Sequence, residues 1–325
     1  MNNFKKIGLT ALAGSLVATT SAMAGSLSAS GSASMGLTNV TSSQATTDSN
    51  AVTAGNGWTM ANSVTFAGSG DLDNGMSISV SFEIDHGAAA GTGPMDSHSL
   101  TLGMNEMGTL TFAGHGGSTV MGAWDDKTPT ASEEAWDVND NNAAAADDGG
   151  GDNSFWYTNT IADSINVYAS YTNQSAALGA ESYSDIGISY TGVEGLTIAY
   201  GEGENKQTAG SYDEQSTTWI TYAYGPLTVG YQTSDSDVEG GVSSDADSVA
   251  YSASYAVSDD LSVSYSMHEF EYGNTSLSDQ ESSGFSASYT MGSISITAAL
   301  NQTDNVAGES GADEEGYNVN FAFAF

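Results

Sequence analysis

Most of the chain alternates apolar residues with small or polar residues at every second position. In residues 76–84 methionine, isoleucine, valine and phenylalanine alternate with serine and glutamate. Residues 261–267 and the final segment, 317–325, repeat this alternation. Because successive side chains of a β-strand point to opposite faces, the pattern predicts strands with one apolar face and one small, polar face.

The connections between the predicted strands alternate between tight turns and long acidic loops. The long loops are expected near residues 41–57, 86–95, 115–153, 174–181, 203–214, 235–245, 271–282 and 302–314. With seven tight turns between them, they join sixteen strands whose two ends fall on the short-turn side. A soluble β-sandwich would bury the apolar face, but it has no reason to segregate loop lengths by end. The pattern predicts an all-β, transmembrane, sixteen-stranded antiparallel up-and-down β-barrel with short periplasmic turns and long extracellular loops.

The first residues carry the features of an export signal. Lys5 and Lys6 precede a short apolar run, and Ala22-Met23-Ala24 matches a cleavage site. We therefore expect residues 1–24 to be removed and residues 25–325 to form the barrel, placed in a bacterial outer membrane. Tyrosines near the strand ends, among them Tyr168 and Tyr171, fit an aromatic belt at the lipid headgroups, although ordinary β-propensity also explains them.

The charge balance excludes several classes of function. The chain has 40 acidic residues and four lysines, with no arginine and no cysteine. Loss of Lys5 and Lys6 would leave only Lys127 and Lys206, so nothing could neutralise the phosphates of a nucleic acid. The four histidines are isolated in the sequence and no nucleophile elbow, zinc motif or phosphate-binding loop is present. The sequence therefore predicts no nucleic-acid partner and no enzymatic activity.

Two motifs resemble those of Gram-negative general diffusion porins, most closely the alphaproteobacterial type. Residues 99–115 (SLTLGMNEMGTLTFAGH) resemble the hairpin that precedes the porin third loop. The C-terminal pattern is similar to the signal by which the barrel-assembly machinery recognises that family, with Tyr317, Phe321, Phe323 and Phe325 as its aromatic positions. The resemblance implies a homotrimer in outer-membrane lipid, each barrel enclosing a water-filled pore for small hydrophilic solutes and ions. It also implies that the third loop, residues 115–153, folds inward.

The sequence departs from that family at the pore constriction. The family sets wall arginines against loop carboxylates, but Ala113-Gly114-His115 stands where Gly-Arg is usual, and lumen-facing positions such as Ser63, Thr65 and Ser79 are neutral. His115 either replaces an arginine at the mouth of the pore or is an ordinary loop residue. The candidate constriction residues are Asp125, Asp126, Glu133, Glu134, Asp137 and Asp140 on the loop, Glu83 and Asp85 on the wall, and His115. Carboxylates without arginines predict cation selectivity.

The third loop also concentrates oxygen ligands at short spacing. Its candidate Ca²⁺ ligands are Asp137, Asp140, Asp147, Asp148 and Asp152. The spacing does not match a twelve-residue calcium loop, and a flexible acidic loop explains the same residues, so no cofactor is expected to be required. The alternative function is a surface structural or interaction barrel, or a secreted β-rich adhesin, without channel activity. Single-channel conductance separates the two classes.

Overall fold

The computed structural model describes residues 26–42, 55–85, 95–136, 152–173, 180–207, 212–238 and 245–325. The predicted export signal, residues 1–24, lies outside this part of the chain. Most of the described residues are in β-strands, as the alternating pattern predicts. The strands are β1 Ser26–Ser42, β2 Gly55–Asp71, β3 Ser77–Asp85, β4 Met95–Gly103, β5 Thr109–His115, β6 Ser154–Ala162, β7 Ile165–Thr172, β8 Ala180–Tyr190, β9 Leu196–Gln207, β10 Tyr212–Tyr224, β11 Leu227–Val238, β12 Ala246–Ala256, β13 Leu261–Tyr272, β14 Gln280–Met291, β15 Ile294–Asp304 and β16 Glu314–Ala324.

The sixteen strands form one closed antiparallel barrel in which each strand pairs with its sequence neighbours and β1 pairs with β16. The closing ladder continues to the last residue, since Gly31 N–H donates to Phe325 O at 2.7 Å and Phe325 N–H donates to Gly31 O at 2.9 Å. Closure leaves no unpaired strand edge, which is the condition for a sheet to cross a lipid bilayer. The predicted strand number and topology are confirmed.

The polar face of the sheet is the inner face. On β13 the side chains of Ser262 and Ser266 are each 2% exposed, whereas Val263 and Tyr265 between them are 39% and 37% exposed. This is the reverse of a soluble protein, where apolar side chains fill the interior. The exposed apolar face is the one that would contact lipid, and the polar face lines the lumen.

The connections follow the predicted division into short and long. Adjacent strands such as β10 and β11 are joined by Gly225 and Pro226, with Gly225 at a φ of 59°, which an L residue rarely adopts. On the opposite side the strands extend further than predicted, since β9 continues to Gln207 and β11 to Val238. The acidic residues at these ends belong to the ladders and not to the loops.

The described residues contain one α-helix, α1 (Val120–Ala123), and 3-10 turns at Asn105–Met107 and Val306–Gly308. None of the helices in the described part of the chain is long and apolar enough to cross a membrane. Helix α1 and the residues that follow it lie within the lumen, against the inner faces of β7–β15. The described part of the third loop, residues 116–136, is therefore folded inward as expected.

Most of the tyrosines near strand ends are exposed on the outer face, as the predicted aromatic belt requires. Tyr171 on β7 is 44% exposed and pairs with Ser184. Tyr168 on the same strand is an exception, because its ring contacts Trp124 of the third loop inside the lumen, with the ring centroids 5.1 Å apart. Its assignment to the aromatic belt is wrong, since residues three apart on a strand point to opposite faces.

Candidate pore constriction

The described part of the third loop, residues 116–136, which we call the L3 segment, runs along the inside of the barrel wall. It begins at α1. Thr119 caps this helix, its Oγ1 accepting from Gly122 N–H at 3.0 Å, and Met121 N–H donates to Asp185 Oδ2 on β8 at 2.9 Å. Ser170 on β7 donates to the other oxygen of Asp185. Asp185 is 3% exposed, and these bonds satisfy a carboxylate that would otherwise be buried at high cost.

The start of the L3 segment forms a small hydrophobic core inside the polar lumen. Val120, Met121 and Trp124 pack with Tyr183 and Ala199 of the wall, and all five are buried. A further aromatic ring, Trp219 on β10, meets the edge of Trp124 with centroids 5.7 Å apart. Aromatic pairs of this kind add to the free energy gained by burial, so the segment is held by packing as well as by hydrogen bonds.

Glycines on the inner wall make this close approach possible. A Cβ on Gly187 of β8 would lie 2.6 Å from the Trp124 ring, and one on Gly201 of β9 would lie 2.5 Å from the Met121 methyl carbon. Further along, a Cβ on Gly230 of β11 would overlap the ring of Pro129. Any side chain at these positions would push the L3 segment toward the pore axis.

Gln232 on β11 clamps the middle of the L3 segment. Its Oε1 accepts from Lys127 N–H at 2.6 Å, while its Nε2 donates to the carbonyl oxygens of Trp124 and Asp125 and to Thr217 Oγ1. The side chain is 3% exposed. One buried amide therefore satisfies three backbone groups of the loop next to two of the predicted constriction carboxylates.

Small polar side chains of the wall hold the rest of the L3 segment. Ser252 donates to Pro129 O, and Asn301 donates to Glu134 O. Between these two bonds, Ser264 accepts from Ala131 N–H and Ser286 accepts from Ser132 N–H. These distances run from 2.7 to 3.1 Å and take the segment from β12 to β15. The Trp136 ring then lies 4.3 Å from that of His268 on β13. The segment thus covers the inner wall from β7 to β15 and leaves β1–β5 uncovered within the described residues.

The predicted constriction residues divide between two sides of the lumen. The side chains of Asp125, Asp126, Glu133 and Glu134 on the L3 segment all remain at least partly exposed. Asp126 lies 3.6 Å from Lys127 Nζ, and Glu134 accepts from Thr130 at 3.2 Å. Asp137 and Asp140 lie outside the described residues.

The wall carboxylates lie across the lumen from the Gln232 clamp. Glu83 and Asp85 share the inner face of β3 with neutral neighbours, pairing with Thr65 and Ser63 of β2. Strands β3 and β11 are eight positions apart in the ring of sixteen, and are therefore diametrically opposed. Both sides of the lumen therefore carry carboxylates: those of the L3 segment on one side, and Glu83 and Asp85 on the other. The rest of the wall near Glu83 and Asp85 is lined by hydroxyl groups, such as those of Ser32 and Ser63, which share a hydrogen bond of 3.0 Å.

His115 and Asp152 are joined at the base of the loop. His115 Nδ1 contacts a carboxylate oxygen of Asp152, and both side chains are at least half exposed. This contact joins the two ends of the third loop. Asp152, one of the predicted Ca²⁺ ligands, is therefore in contact with the histidine. The other predicted ligands, Asp137, Asp140, Asp147 and Asp148, lie outside the described residues. Within the described part of the chain a different acidic group, Glu269, Glu271 and Asp279, brings ligand oxygens within 4.8 Å of one another on the exposed surface.

The outer surface divides into an acidic and a neutral sector. Carboxylates face one another across neighbouring strands from β9 to β15, in the series Glu204–Glu214–Asp237, Asp235–Asp247–Glu271 and Glu269–Glu281–Asp304. On the described parts of β1, β2 and β3 the outward positions carry no acidic residue, and β1 presents Leu27, Ala29, Gly31, Ala33, Met35 and Leu37. The exposed Phe325 ring lies over Gly31, at 2.6 Å from where a Cβ would stand.

Several of the residues that build the site were not singled out by sequence reasoning. Asp185, Gln232 and the inward glycines belong to an inner wall whose residues are mainly serine and threonine, so each departs from the prevailing pattern. That break was the available signal. It could not identify the partner, because Gln232 and Trp124 are 108 positions apart in the chain.

The chain thus folds as a closed barrel of sixteen strands, with the described part of its third loop along the inner wall. Residues 8–325 match the family profile described as Gram-negative porin. The chain belongs to the Gram-negative porin family. This porin is therefore a multi-pass β-barrel of the outer membrane, as its sequence predicted. No curated protein sequence matches it significantly.

Solved structures support the same fold at low sequence identity. The anion-selective porin from Comamonas acidovorans is 13% identical, with a TM-score of 0.70 over 92% of this chain and 99% of that one. OmpT of Vibrio cholerae in a trimer form is 15% identical, with a TM-score of 0.67 over 93% and 100% of the two chains. A mutant of the Rh. blastica porin is 14% identical, with a TM-score of 0.65 over 92% and 100%. At these identities the likeness is one of fold.

Proposed function

We propose that this porin is a cation-selective channel for the passive diffusion of ions and small hydrophilic solutes. The observation that carries the proposal is the charge of the lumen. Partly exposed carboxylates lie on the L3 segment, Glu83 and Asp85 lie on the opposite wall, and residues 25–325 contain only two lysines, Lys127 and Lys206, and no arginine. Both lysines lie within 3.6 Å of a carboxylate, so neither adds an isolated positive charge.

The physical basis of the selectivity is the electrostatic potential within the pore. Carboxylates lining a water-filled channel with low-dielectric walls raise the local concentration of cations and lower that of anions. Mobile ions screen this effect, since the Debye length is about 10 Å at 0.1 M salt and about 3 Å at 1 M. The cation preference should therefore be large in dilute salt and small in concentrated salt.

The reversal potential across a KCl gradient tests the selectivity. The purified protein in a planar bilayer should give a potential that corresponds to preferred K⁺ passage at low salt and declines as both sides approach 1 M. The Comamonas acidovorans porin of the same fold is anion-selective, so fold alone does not decide the sign. A preference for Cl⁻, or none at low salt, would contradict the proposal.

Single-channel recording tests whether there is a channel at all. Stepwise open currents, together with swelling of liposomes in isotonic solutions of small neutral solutes, are expected for a porin. A barrel that inserts but stays silent would instead support a structural or interaction protein at the cell surface. The proposal of a channel and not an enzyme rests on the family and on the course of the L3 segment. Within the described residues this segment runs along one side of the lumen and does not cross it.

We also propose that three copies associate through the neutral outer sector. Small outward residues on β1 allow close contact between barrels, whereas the like-charged rows from β9 to β15 would repel a second copy. The trimer form of OmpT shows that the fold permits such an assembly. The acidic sector would then lie outside the contact, where its strand ends extend beyond the lipid and mobile cations balance its charge.

A bulky residue at the contact should separate the copies. Ala33→Trp places an indole on the outward face of β1, and Ala287→Trp places one on the outward face of β14 as a matched control. Native mass spectrometry in detergent should show trimers for the parent and for Ala287→Trp, but smaller species for Ala33→Trp. Equal dissociation of both variants would place the contact elsewhere.

Three further expectations from the sequence stay proposals. Cleavage after Ala24 is tested by the intact mass of the exported protein. Recognition by the barrel-assembly machinery is tested by Phe325→Ala, which should slow membrane insertion if Tyr317, Phe321, Phe323 and Phe325 act as the signal. Ca²⁺ binding by the third loop is tested by calorimetry at millimolar Ca²⁺, where an absence of heat would dismiss it.

A further inference from the structure

A cavity of about 900 Å³ opens on the inner wall beneath the L3 segment, near the short-turn end of the barrel. Its lining includes the inward side chains of β5, β6 and β7 and the turn between β4 and β5, in particular Thr109, Thr158, Thr160, Asn166, Tyr168 and Glu106. The strand register places Thr109, Thr158 and Tyr168 in one row. The volume is that of a site for a small organic ligand. None of the residues assigned to the constriction lines it.

The polar groups of this cavity are fixed in direction by a chain of hydrogen bonds. Thr160 Oγ1 donates to Asn166 Oδ1 at 2.7 Å, and Asn166 Nδ2 donates to Ser189 Oγ at 3.3 Å. The Tyr168 hydroxyl lies 3.5 Å from the same Ser189 oxygen. Two hydroxyls and an amide are therefore held in place before any ligand arrives, which lowers the entropic cost of binding.

An aromatic ring completes the cavity. Tyr168 is only half-buried, and its ring is held by contacts with Trp124 at 5.1 Å and Trp156 at 6.3 Å between centroids. A supported aromatic surface beside oriented hydroxyl and amide groups suits a ligand with apolar C–H faces and a polar hydroxyl rim. Of the described residues that line the cavity, none is basic and two, Glu106 and Asp163, are acidic. An anionic ligand is disfavoured.

We propose that this cavity binds a neutral carbohydrate of one to a few sugar units, and call it the vestibule site. The inference rests on the proposed channel function, since the sugar reaches the site through the lumen. It gives the pore a substrate class: neutral sugars would dwell at Tyr168 beside the L3 segment, whereas ions would pass without pausing there.

Current recording with maltotriose tests the vestibule site. Added on the short-turn side of the reconstituted channel at millimolar concentration, the sugar should cause reversible interruptions of the current that become more frequent with concentration. Tyr168→Ala should weaken the apparent affinity roughly tenfold, because the ring contact and the hydroxyl contact are lost together. Tyr168→Phe keeps the ring and should retain most of the affinity. Tyr171→Ala, outward on the same strand, is the matched control and should behave as the parent.

Two outcomes would overturn the inference while leaving the channel intact. One is a conducting channel whose current and tryptophan fluorescence both ignore maltotriose; the other is an unchanged affinity in Tyr168→Ala. If the protein does not conduct, the channel proposal fails and the fluorescence titration in detergent decides the sugar site by itself, since Trp124 and Trp156 flank Tyr168. A saturable change lost in Tyr168→Ala supports the site, and no change refutes it.

Discussion

The two halves of the inner wall look alike in sequence but have different neighbours. On both halves the inward residues are mainly serine and threonine with occasional glycine. From β7 to β15 they contact the L3 segment, whereas on β1–β5 they contact one another and the lumen. At Gly230, on the covered half, an added Cβ would meet the Pro129 ring of the loop, while at Gly36 on β1 it would meet the hydroxyl of Thr59 on the next strand.

The difference shows how a polar wall can act in two ways. A serine hydroxyl that accepts from a loop N–H, as Ser264 does from Ala131, fixes backbone in place. The same side chain facing the lumen offers solutes a neutral, hydrogen-bonding surface. The pore is therefore displaced toward β1–β5, and its charge is set by the loop on one side and by Glu83 and Asp85 on the other.

The largest expected effect comes from releasing the clamp of the covered half. Gln232→Leu removes the partners of Trp124 O, Asp125 O and Lys127 N–H while keeping a side chain of similar size. Leaving buried backbone groups unsatisfied costs about 3 kcal/mol in total, so amide exchange at Lys127 should accelerate roughly 100-fold. Open-channel current noise should rise with it. Gln302→Leu on the outer face of β15 is the control; equal behaviour of the two variants would mean that Gln232 does not hold the loop.

The second largest effect is expected from adding a methyl group to the covered half of the wall, with the same addition to the uncovered half as a comparison. Gly230→Ala must displace Pro129, whereas Gly36→Ala needs only a rotation of the Thr59 hydroxyl. Overpacking against a rigid partner costs about 1 to 3 kcal/mol, so Gly230→Ala should lower both the thermal unfolding temperature and the conductance. Gly36→Ala should leave both nearly unchanged. If Gly36→Ala proves the more disruptive, the L3 segment is not seated against β11 as described.

The sequence predicted the barrel because the information for it is local. Alternation identifies each strand, and the loop lengths identify the two ends. The ends of β9 and β11 were placed too early, because Glu204 and Asp237 were assigned to loops on account of their charge, although they pair with Glu214 across the ladder. Charge alone does not exclude a residue from a strand that extends beyond the lipid.

The seat of the L3 segment could not be predicted in the same way. Ala131 and Ser264 are 133 positions apart, and nothing local links them. Tyr168 was misplaced for a related reason: both faces of β7 carry a tyrosine, so alternation could not tell which ring faces lipid. The acidic content of the third loop was visible in the sequence, but which of its carboxylates border the lumen depends on hydrogen bonds such as those of Gln232.

The smallest effect, and the one that best separates charge from structure, comes from the neighbours Asp126 and Lys127. Asp126→Asn should lower the K⁺ preference of the channel roughly twofold at 0.1 M salt, and Lys127→Gln should raise it by a similar factor, because a single charge changes the local potential only modestly in water. Neither substitution removes the Lys127 backbone bond to Gln232, so the L3 segment should stay in place. Both shifts should vanish near 1 M KCl, where the Debye length is about 3 Å. Reversal potentials that move in the same direction for the two variants would show that the L3 segment had shifted and that its charge was not the cause.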